Sequence, residues 1–374
     1  MKIAYLSTSI IPSVTANSIQ VMRMSNALSN LGHSVITFAS FGKVSNIIDV
    51  YKYYNIEDNF EIIYCKKPKP KIISGIFYGI NVAINLLKFN FDIYYGRCPH
   101  SLFFSSFSQK PFIYEAHNLP KRYFRTLLEK KLFKKKNFLR LVVISQALKR
   151  DYLLKFSNLD ESKIIVAHDA ASINTKDIKD QSYCVNNTKS KDSFNVGYVG
   201  SLFPGKGVEG VLSLANERPF HKYHVVGGTE KEIAQFKKFA SPQVKFHGRK
   251  QPCNIPSLLR KFDILLLPSK NKIETLEGGD IGQYTSPLKM FEYMASGRPV
   301  IASKLPVFEE VLKHNVNSLL VPFDNFKEWG KALDLLVENE NLREKLAKNA
   351  LNDLVSAFTW SKRAENILSN LDVE

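Results

Sequence analysis

The chain has 374 residues, of which 44% are hydrophobic and 23% are charged, and its formal net charge is +17. These totals predict a globular protein of two domains and exclude low-complexity and repeat proteins. The most hydrophobic uncharged segment considered, residues 72–87, contains two asparagines and is too short to span a bilayer, so no transmembrane helix is expected there.

The positive charge is concentrated in the first half of the chain. Residues 1–175 contain 24 Lys and Arg against 11 Asp and Glu, a net charge of +13. This asymmetry predicts an anionic partner such as a membrane surface, a polyanion or a nucleic acid, and the alternative is a soluble protein that is merely rich in lysine. The four cysteines form no CxxC pair and the N-terminus reads as a strand, so we expect reduced thiols in the cytoplasm.

Strands and helices alternate along the first half. The first strand, "KIAYLS", precedes a helical pattern over 18–31, and Ile73, Phe77, Ile80, Ile84 and Leu87 share one face of a later amphipathic helix. The other predicted strands are "SVITFAS", "FDIYYG", "PFIYEAH", "LRLVVIS" and "KIIVAH". This alternation is typical of parallel βαβ units.

A polar stretch separates this half from a second one. Residues 173–194 read as a linker, after which the alternation resumes. The strands predicted there are "NVGYVG", "KYHVVGG", "VKFHG", "FDILLLPS", "PVIAS" and "SLLVP". The sequence therefore predicts an α/β protein of two doubly wound domains, with a ligand in a cleft that the carboxyl ends of the strands face.

The loop "VGSLFPGKGVEG" has the spacing of a Walker A phosphate loop. That motif needs Ser or Thr after its lysine, but Gly207 follows Lys206. No acidic residue ends a strand in the way a Walker B motif requires, since Asp263 precedes its apolar run. The loop is therefore interpreted as an anion-binding turn of another kind or as a glycine-rich turn with a solvated lysine.

A helix with an anion-binding start is predicted farther along. Ser286 and Pro287 suit its N-cap and first positions, and Gly297 suits its end. An anion at this start would meet free N–H groups and the positive end of the helix dipole. Glu292, nearly two turns inside, suits a ribose diol.

These motifs together resemble glycosyltransferase family 4. They are "VGYVGSLFPGKGVEGVL", "HGRKQPCNIPSLLRKFDILLLPS" and "YTSPLKMFEYMASGRPVIASKLPVFEEVL", and both chain ends are also similar to that family. The resemblance implies a retaining, nucleotide-sugar-dependent transferase of the GT-B fold. The domains expected from it are an acceptor-side domain at 1–175, a linker at 176–193 and a donor-binding domain at 194–355, with 356–374 packing back on the first domain.

The resemblance also implies residue roles. Lys206 would contact the donor diphosphate, Glu292 the ribose, and His117 the transferred sugar. The other donor-side residues are Ser201, Gly248, Arg249, Lys250, Tyr284, Thr285, Ser286, Leu288 and Lys289, and the acceptor-side residues are Ala16, Asn17 and Arg97. His117 could instead be an ordinary histidine at a strand end.

This sequence departs from the family pattern at three places. Tyr284 stands where the family has its first glutamate, Ser201 where it has an arginine, and Ala16-Asn17 where it has two glycines. Lys289 or Arg249 could replace the missing arginine, and Lys289 could equally be a solvated helix residue. We therefore expect a subgroup of the family whose donor sugar cannot be read from the motif.

The motifs favour same-face displacement over double inversion, because no carboxylate stands out as a nucleophile. No D-x-D motif occurs, so no metal and no other cofactor are expected. UDP is the default nucleotide on family frequency. The alternatives are a nucleotide-sugar 2-epimerase of the same fold and a non-catalytic polyanion-binding protein, whereas nucleic acid is not expected as a partner.

A basic and apolar segment at 119–140 predicts the acceptor side. Its cations are Lys121, Arg122, Arg125, Lys130, Lys131, Lys134, Lys135, Lys136 and Arg140. Their combination with apolar residues at helical spacing is typical of a helix on an anionic membrane, and the alternatives are a solvated face over a core helix or an acidic polysaccharide as partner. The prediction is a peripheral enzyme at the inner face of the cytoplasmic membrane, acting on a glycan or lipid-linked acceptor in cell-surface polysaccharide synthesis.

Overall fold

The computed structural model describes residues 1–42, 49–66, 74–173, 193–273, 280 and 282–371. The chain divides into two compact units, Met1–His168 with Trp360–Glu374, and Asp169–Thr359. Of the residues that the sequence analysis assigned to the first domain, 169–173 and 356–359 thus fall in the second unit. The expected linker lies outside the described residues except for Ser193.

The first unit is built on a parallel seven-stranded sheet in the order β3-β2-β1-β4-β5-β6-β7. Its strands are β1 (Lys2–Ile11), β2 (Ser34–Phe41), β3 (Glu61–Tyr64), β4 (Ile93–Gly96), β5 (Phe112–Ala116), β6 (Phe138–Val143) and β7 (Ile164–Val166). Its helices are α1 (Ala16–Asn30), α2 (Val50–Tyr54), α3 (Ser74–Leu86), α4 (Pro99–Ser105), α5 (Tyr123–Phe133), α6 (Gln146–Lys155) and, from the end of the chain, α14 (Trp360–Leu368). Every strand predicted for this half is present, and β3 is an edge strand that the prediction missed.

The second unit is built on a parallel six-stranded sheet in the order β10-β9-β8-β11-β12-β13. Its strands are β8 (Asn195–Val199), β9 (Lys222–Val226), β10 (Val244–Phe246), β11 (Ile264–Leu267), β12 (Val300–Ser303) and β13 (Leu319–Val321). Its helices are α7 (Val208–Glu217), α8 (Glu230–Lys237), α9 (Ile255–Leu259), α10 (Leu288–Ala295), α11 (Pro306–Glu309), α12 (Phe326–Glu338) and α13 (Glu340–Ala357). All six strands were predicted.

Both faces of the second sheet are covered, which explains its apolar strands. Leu265 and Leu267 of β11 belong to one core cluster, and Ile264 and Leu266 belong to the other. A parallel strand buried on both faces reads as a continuous apolar run rather than as an alternating one. The fold is therefore α/β with two doubly wound, Rossmann-like units.

Helix α14 completes the first unit although it is distant in sequence. It packs on α1, and its residues Trp360, Arg363, Ala364 and Ile367 are buried. The Arg140 guanidinium on β6 donates a hydrogen bond of 2.7 Å to the carbonyl oxygen of Ile367. The predicted return of the last helix to the first unit is thus observed, beginning at Trp360.

Candidate functional site

The loop between β8 and α7 presents Lys206 between two glycines. Gly205 and Gly207 have φ angles of +86° and +81°. A Cβ at Gly205 would lie 2.2 Å from the carbonyl oxygen of Lys272, and one at Gly207 would lie 1.8 Å from that of Pro268. Gly207 therefore stands where a P-loop has Ser or Thr because the backbone passes too close for any side chain.

The start of α10 differs by one residue from its prediction. Pro287 is the N-cap, with an extended ψ of 126°, and its carbonyl accepts a hydrogen bond from the Met290 N–H. The Ser286 hydroxyl does not cap the helix, because it accepts a hydrogen bond of 2.9 Å from the Asp169 N–H. Gly297 ends the helix region at φ +64°, as predicted.

A buried tyrosine fixes α10 beside the end of β8. The Tyr293 hydroxyl accepts a 2.7 Å hydrogen bond from the Val199 N–H and donates one of 3.2 Å to the Val199 carbonyl. This places the first turn of α10 next to the loop that carries Lys206. The N-terminal end of a helix and a glycine-rich loop thus meet at the carboxyl end of a central strand.

Two lysines meet at this point. The Lys289 amine lies 4.6 Å from the ring centre of Tyr198 and 3.5 Å from its hydroxyl, which donates a hydrogen bond to the Ser201 carbonyl. Burial and then the nearby charge of Lys206 hold the pKa of Lys289 well below its ordinary value, and burial also lowers the pKa of Lys206. In the part of the chain that the structure describes, neither amine has a carboxylate partner. Two partly buried amines without a counter-charge form a site for an anion, whose charge would favour their protonated form.

The remaining donor-side residues occupy two places. Gly248, at φ +66°, follows β10, and its carbonyl accepts a hydrogen bond of 2.9 Å from the Gly227 N–H. Arg249 and Lys250 next to it are exposed. Glu292 is partly exposed on α10, one turn after Lys289. Tyr284, Thr285, Ser286 and Leu288 are buried, so any contact from Thr285, Ser286 and Leu288 to a ligand would come from the backbone.

The first unit gathers its own cluster at the carboxyl ends of β1, β4 and β5. Glu115 is 1% exposed, and its carboxylate accepts hydrogen bonds from Arg363, at 2.9 Å, and from Gln20, at 2.8 Å. Gln20 in turn accepts one of 2.7 Å from Arg97. Burial alone would raise the pKa of Glu115, but the Arg363 charge and the hydrogen bond with His117 outweigh it and lower that pKa to about 2.

His117 stands at the edge of this cluster. Its Nε2 lies 2.6 Å from a Glu115 oxygen, and its side chain is 20% exposed. Burial and the Arg97 charge lower the pKa of His117 to about 4 in spite of Glu115, so the imidazole is neutral near pH 7 and its Nε2–H donates. Nδ1 then carries a lone pair with no partner among the residues described here, and it is able to accept a hydrogen bond from a hydroxyl group.

The first-loop residues lie beside this histidine network. Ala16 and Asn17 are exposed at the start of α1, and the Arg97 guanidinium lies 3.4 Å from the Asn17 carbonyl oxygen. The structure therefore brings three predicted acceptor-side positions and His117 to one edge of the first sheet.

The depressed pKa of His117 predicts a pH dependence of stability. Between pH 6.5 and about 4, His117 stays neutral in the folded protein but is protonated in the unfolded chain. The free energy of unfolding should fall by about 3 kcal/mol over this range, at 1.4 kcal/mol per pKa unit. His117→Gln keeps a donor for Glu115 but removes this titration, so its unfolding free energy should vary less between pH 6.5 and 4. Chemical denaturation at each pH measures the difference, and equal slopes would contradict the assigned protonation state.

The basic segment after His117 forms α5 and the turn that follows it. Lys121, Arg122, Lys130, Lys131, Lys134 and Lys136 are exposed, as predicted for a surface that binds anions. Arg125 differs, because it forms an ion pair of 2.8 Å with buried Glu129. Lys135 also differs, because its amine lies 3.9 Å from the ring centre of Phe107.

The described residues contain neither a metal-binding cluster nor a helix that could cross a membrane. No group of three or more His, Cys, Asp or Glu side chains there has the spacing of a metal site. No helix in the same residues has the length and apolar composition needed to cross a membrane.

Several residues of the two clusters were missed by the sequence analysis. Tyr198 and Tyr293 lie inside the motifs quoted above, and Gln20 and Arg363 lie in the terminal segments, but none of the four was assigned a role. Tyr293 follows Glu292 directly, and Tyr198 is the residue before the last of β8. Their positions next to predicted site residues were the signal that could have identified them. Arg363 had no such signal, since its carboxylate partner lies 248 residues away.

Comparisons with known proteins agree with the motifs. Residues 182–353 match the family model described as glycosyl transferases group 1. An uncharacterized glycosyltransferase of Methanocaldococcus jannaschii is 25% identical over an alignment of 353 positions, which covers 85% of this chain and 82% of that protein.

Solved structures share the fold at low sequence identity. HepE of Anabaena, in complex with UDP and glucose, has a TM-score of 0.70 and 18% identity, covering 99% of this chain and 100% of that one. WaaG, a glycosyltransferase involved in lipopolysaccharide biosynthesis, has a TM-score of 0.67 and 16% identity, covering 98% and 100%. These likenesses show the GT-B fold.

Proposed function

We propose that this chain, a glycosyltransferase whose residues 182–353 match the group 1 family, moves a sugar from a nucleotide-sugar donor to a glycan or lipid-linked acceptor with retention of configuration. The single observation that supports this most is the meeting of Lys206, Lys289 and the start of α10. A donor diphosphate would supply the negative charge that both amines lack.

The proposed reaction relies on stabilising the leaving group. As the bond from the sugar to the diphosphate breaks, negative charge grows on the diphosphate, and Lys206, Lys289 and the first N–H groups of α10 are fixed in advance to receive it. Glu115 is a poor nucleophile, because its carboxylate is buried and bonded to Arg363, Gln20 and His117. This supports same-face attack, in which the acceptor hydroxyl passes its proton to the donor phosphate. Lysines and a helix dipole would take the place of a metal.

UDP is the proposed nucleotide. HepE of Anabaena, which shares the fold, was solved with UDP and glucose, and family 4 enzymes resembled by the motifs use UDP-sugars widely. Gly248, Arg249 and Lys250 would face the base, and Glu292 the ribose. A carboxylate that accepts hydrogen bonds from a ribose diol explains why an acidic residue stands one turn after Lys289.

A thermal-shift screen with UDP, GDP, ADP and CMP tests the donor. UDP at 100 times its Kd is expected to stabilise the protein by ~2.7 kcal/mol, and the shift should persist in EDTA because the proposed reaction uses no metal. Glu292→Gln should reduce the UDP shift, measured for each protein against its own melting temperature without ligand. If none of the four nucleotides raises the melting temperature, the donor proposal is wrong.

The acceptor is proposed to lie at an anionic membrane. The exposed cations around α5 are accompanied by exposed Tyr123 and Phe124, which are 75% and 82% exposed. Each cation near an anionic surface contributes about 1 kcal/mol to attraction. A peripheral position at the inner face of the cytoplasmic membrane, and a role in cell-surface polysaccharide synthesis, follow as proposals from this surface.

A further inference from the structure

Helix α3 turns an apolar side to solvent. The exposed fractions are 44% for Ile76, 51% for Phe77, 37% for Ile80, 57% for Ile84 and, just past the helix, 79% for Leu87. These five residues are called the α3 face. Every exposed residue of α3 belongs to it, whereas a helix on a soluble surface carries polar residues on this side. Contiguous apolar surface of this kind marks an interaction site.

The helix cannot rotate to bury this face. Its inner side packs against α4 through Gly75 and Gly79, and a Cβ at Gly79 would lie 2.9 Å from the carbonyl oxygen of His100. Tyr78 and Val82 on the same inner side are 0% exposed. The two glycines hold α3 close to α4, so the opposite side stays outward.

The part of the chain that forms α3, α4 and α5 is cationic. From Ser74 to Arg140 the chain has twelve Lys and Arg and three acids. Two of these acids, Glu115 and Glu129, are at most 1% exposed, and Asp92 is the exposed one. The exposed charge on this part of the chain is therefore almost entirely positive.

Helices α3 and α5 are neighbours of the same helix. Helix α4 contacts both α3 and α5. At the start of α4, the His100 ring would lie 3.1 Å from a Cβ at Gly75, and after burial the charge of Arg125 is what lowers the pKa of His100. The starts of the three helices thus meet around one residue, with Ile76 and Phe77 at the same end as Tyr123 and Phe124.

We propose that the α3 face docks on a lipid bilayer with anionic headgroups, its apolar residues entering the acyl boundary while the lysines of α5 remain at the headgroups. An acidic polysaccharide or a nucleic acid would pair with the lysines but leave the apolar residues in water. A second copy of the chain, meeting face to face, would bring two cationic surfaces together. The inference deepens the membrane part of the proposed function and is independent of the donor assignment.

The docking surface also adjoins the site of the first unit. Helix α4 begins two residues after Arg97, and α5 begins six residues after His117. A bilayer on this surface would therefore present a lipid-linked acceptor near the carboxyl ends of β4 and β5. This explains why apolar exposure is tolerated here on an otherwise charged protein.

Co-sedimentation with vesicles tests the proposal. The full chain is mixed with vesicles of phosphatidylcholine alone or with 30% phosphatidylglycerol, and Phe77→Ser/Ile84→Ser is compared with Phe220→Ser/Phe239→Ser. The control removes two exposed apolar residues, 81% and 74% exposed, from the second unit. We expect the α3 variant to lose at least tenfold in partitioning to anionic vesicles, equivalent to about 1.4 kcal/mol, and the control to match the wild type. Neither pair is buried, so both variants should fold.

A depth probe and the oligomeric state complete the test. Emission from Phe77→Trp should shift to the blue with anionic vesicles, whereas emission from Phe220→Trp should not. Equal partitioning of wild type and α3 variant would overturn the α3 assignment and leave the lysine surface as the membrane contact. If the wild type does not bind anionic vesicles, both the α3 assignment and the lysine surface as membrane contact are wrong. A dimer in lipid-free solution that Phe77→Ser/Ile84→Ser dissociates would show that a second copy occupies the face. The UDP thermal shift, measured on the same variants, reports the donor proposal separately.

Discussion

Lys206→Ala is expected to lower turnover by ~10²–10³-fold without loss of the fold, because it removes one fixed cation from the leaving diphosphate. The Lys206 amine forms no ion pair in the described chain, so the free protein loses no such contact when it is removed. Turnover is measured as release of the nucleotide from the sugar donor that the thermal-shift screen selects. Lys289→Ala should act in the same direction, since its amine shares the site.

The matched control for this change is Lys237→Ala on α8, an exposed lysine of the same unit. It should retain the wild-type rate. Calorimetry adds a second measurement: a diphosphate favours the charged form of both lysines, whose pKa burial lowers, so any proton uptake on binding should increase as the pH is raised. Unchanged rates in both Lys206→Ala and Lys289→Ala would reject this site.

Arg363→Met should lower the free energy of unfolding by about 3–5 kcal/mol, because it leaves the Glu115 carboxylate buried without its cation. The guanidinium also donates to the backbone carbonyl oxygens of His168 and Ala167, at 2.8 and 3.3 Å. Arg363 is thus a positioning residue, since it holds the carboxylate that orients His117.

The charge explanation is tested by pH and by a second substitution. Without Arg363, burial raises the pKa of Glu115. The loss of unfolding free energy in Arg363→Met, relative to the wild type, should therefore become smaller as the pH falls and the Glu115 carboxyl takes up a proton. Glu115→Gln should recover part of the lost stability when combined with Arg363→Met. Arg140→Met removes a hydrogen bond to the carbonyl oxygen of Ile367 on α14, a neutral partner. It should lower the free energy of unfolding by less than Arg363→Met, and the difference from the wild type should not narrow as the pH falls. A deficit that is constant with pH would point to packing alone.

The strands were predictable because their burial determines their composition. Both core clusters of the second unit contain residues of β11, and a run such as "ILLL" has no other common explanation between two turn signals. β3 was missed because "EIIY" is four residues long and no residue of it is fully buried. An edge strand of this kind is determined by its pairing with β2, which lies outside any local pattern.

The sites were predictable to different extents. Motif spacing identified Lys206, and the helix signal identified α10, but the contact between Lys289 and Tyr198 depends on how two elements pack.

The apolar pattern on α3 illustrates a limit of periodicity. The pattern correctly showed an apolar face, and it implied burial, yet the buried side is the one with Gly75, Tyr78, Gly79 and Val82. Because α3 has two apolar sides, periodicity alone could not determine which of them is buried.

The pairing of Glu115 with Arg363 has a consequence for how the protein is made. The two residues are separated by 248 positions, so most of the chain must leave the ribosome before the carboxylate can meet its guanidinium. Until α14 arrives, a nascent first unit would hold either a buried charge or a protonated acid, and it would stay open around β1, β4 and β5. The site around His117 can therefore reach its final structure only after the whole second unit and α14 have been translated.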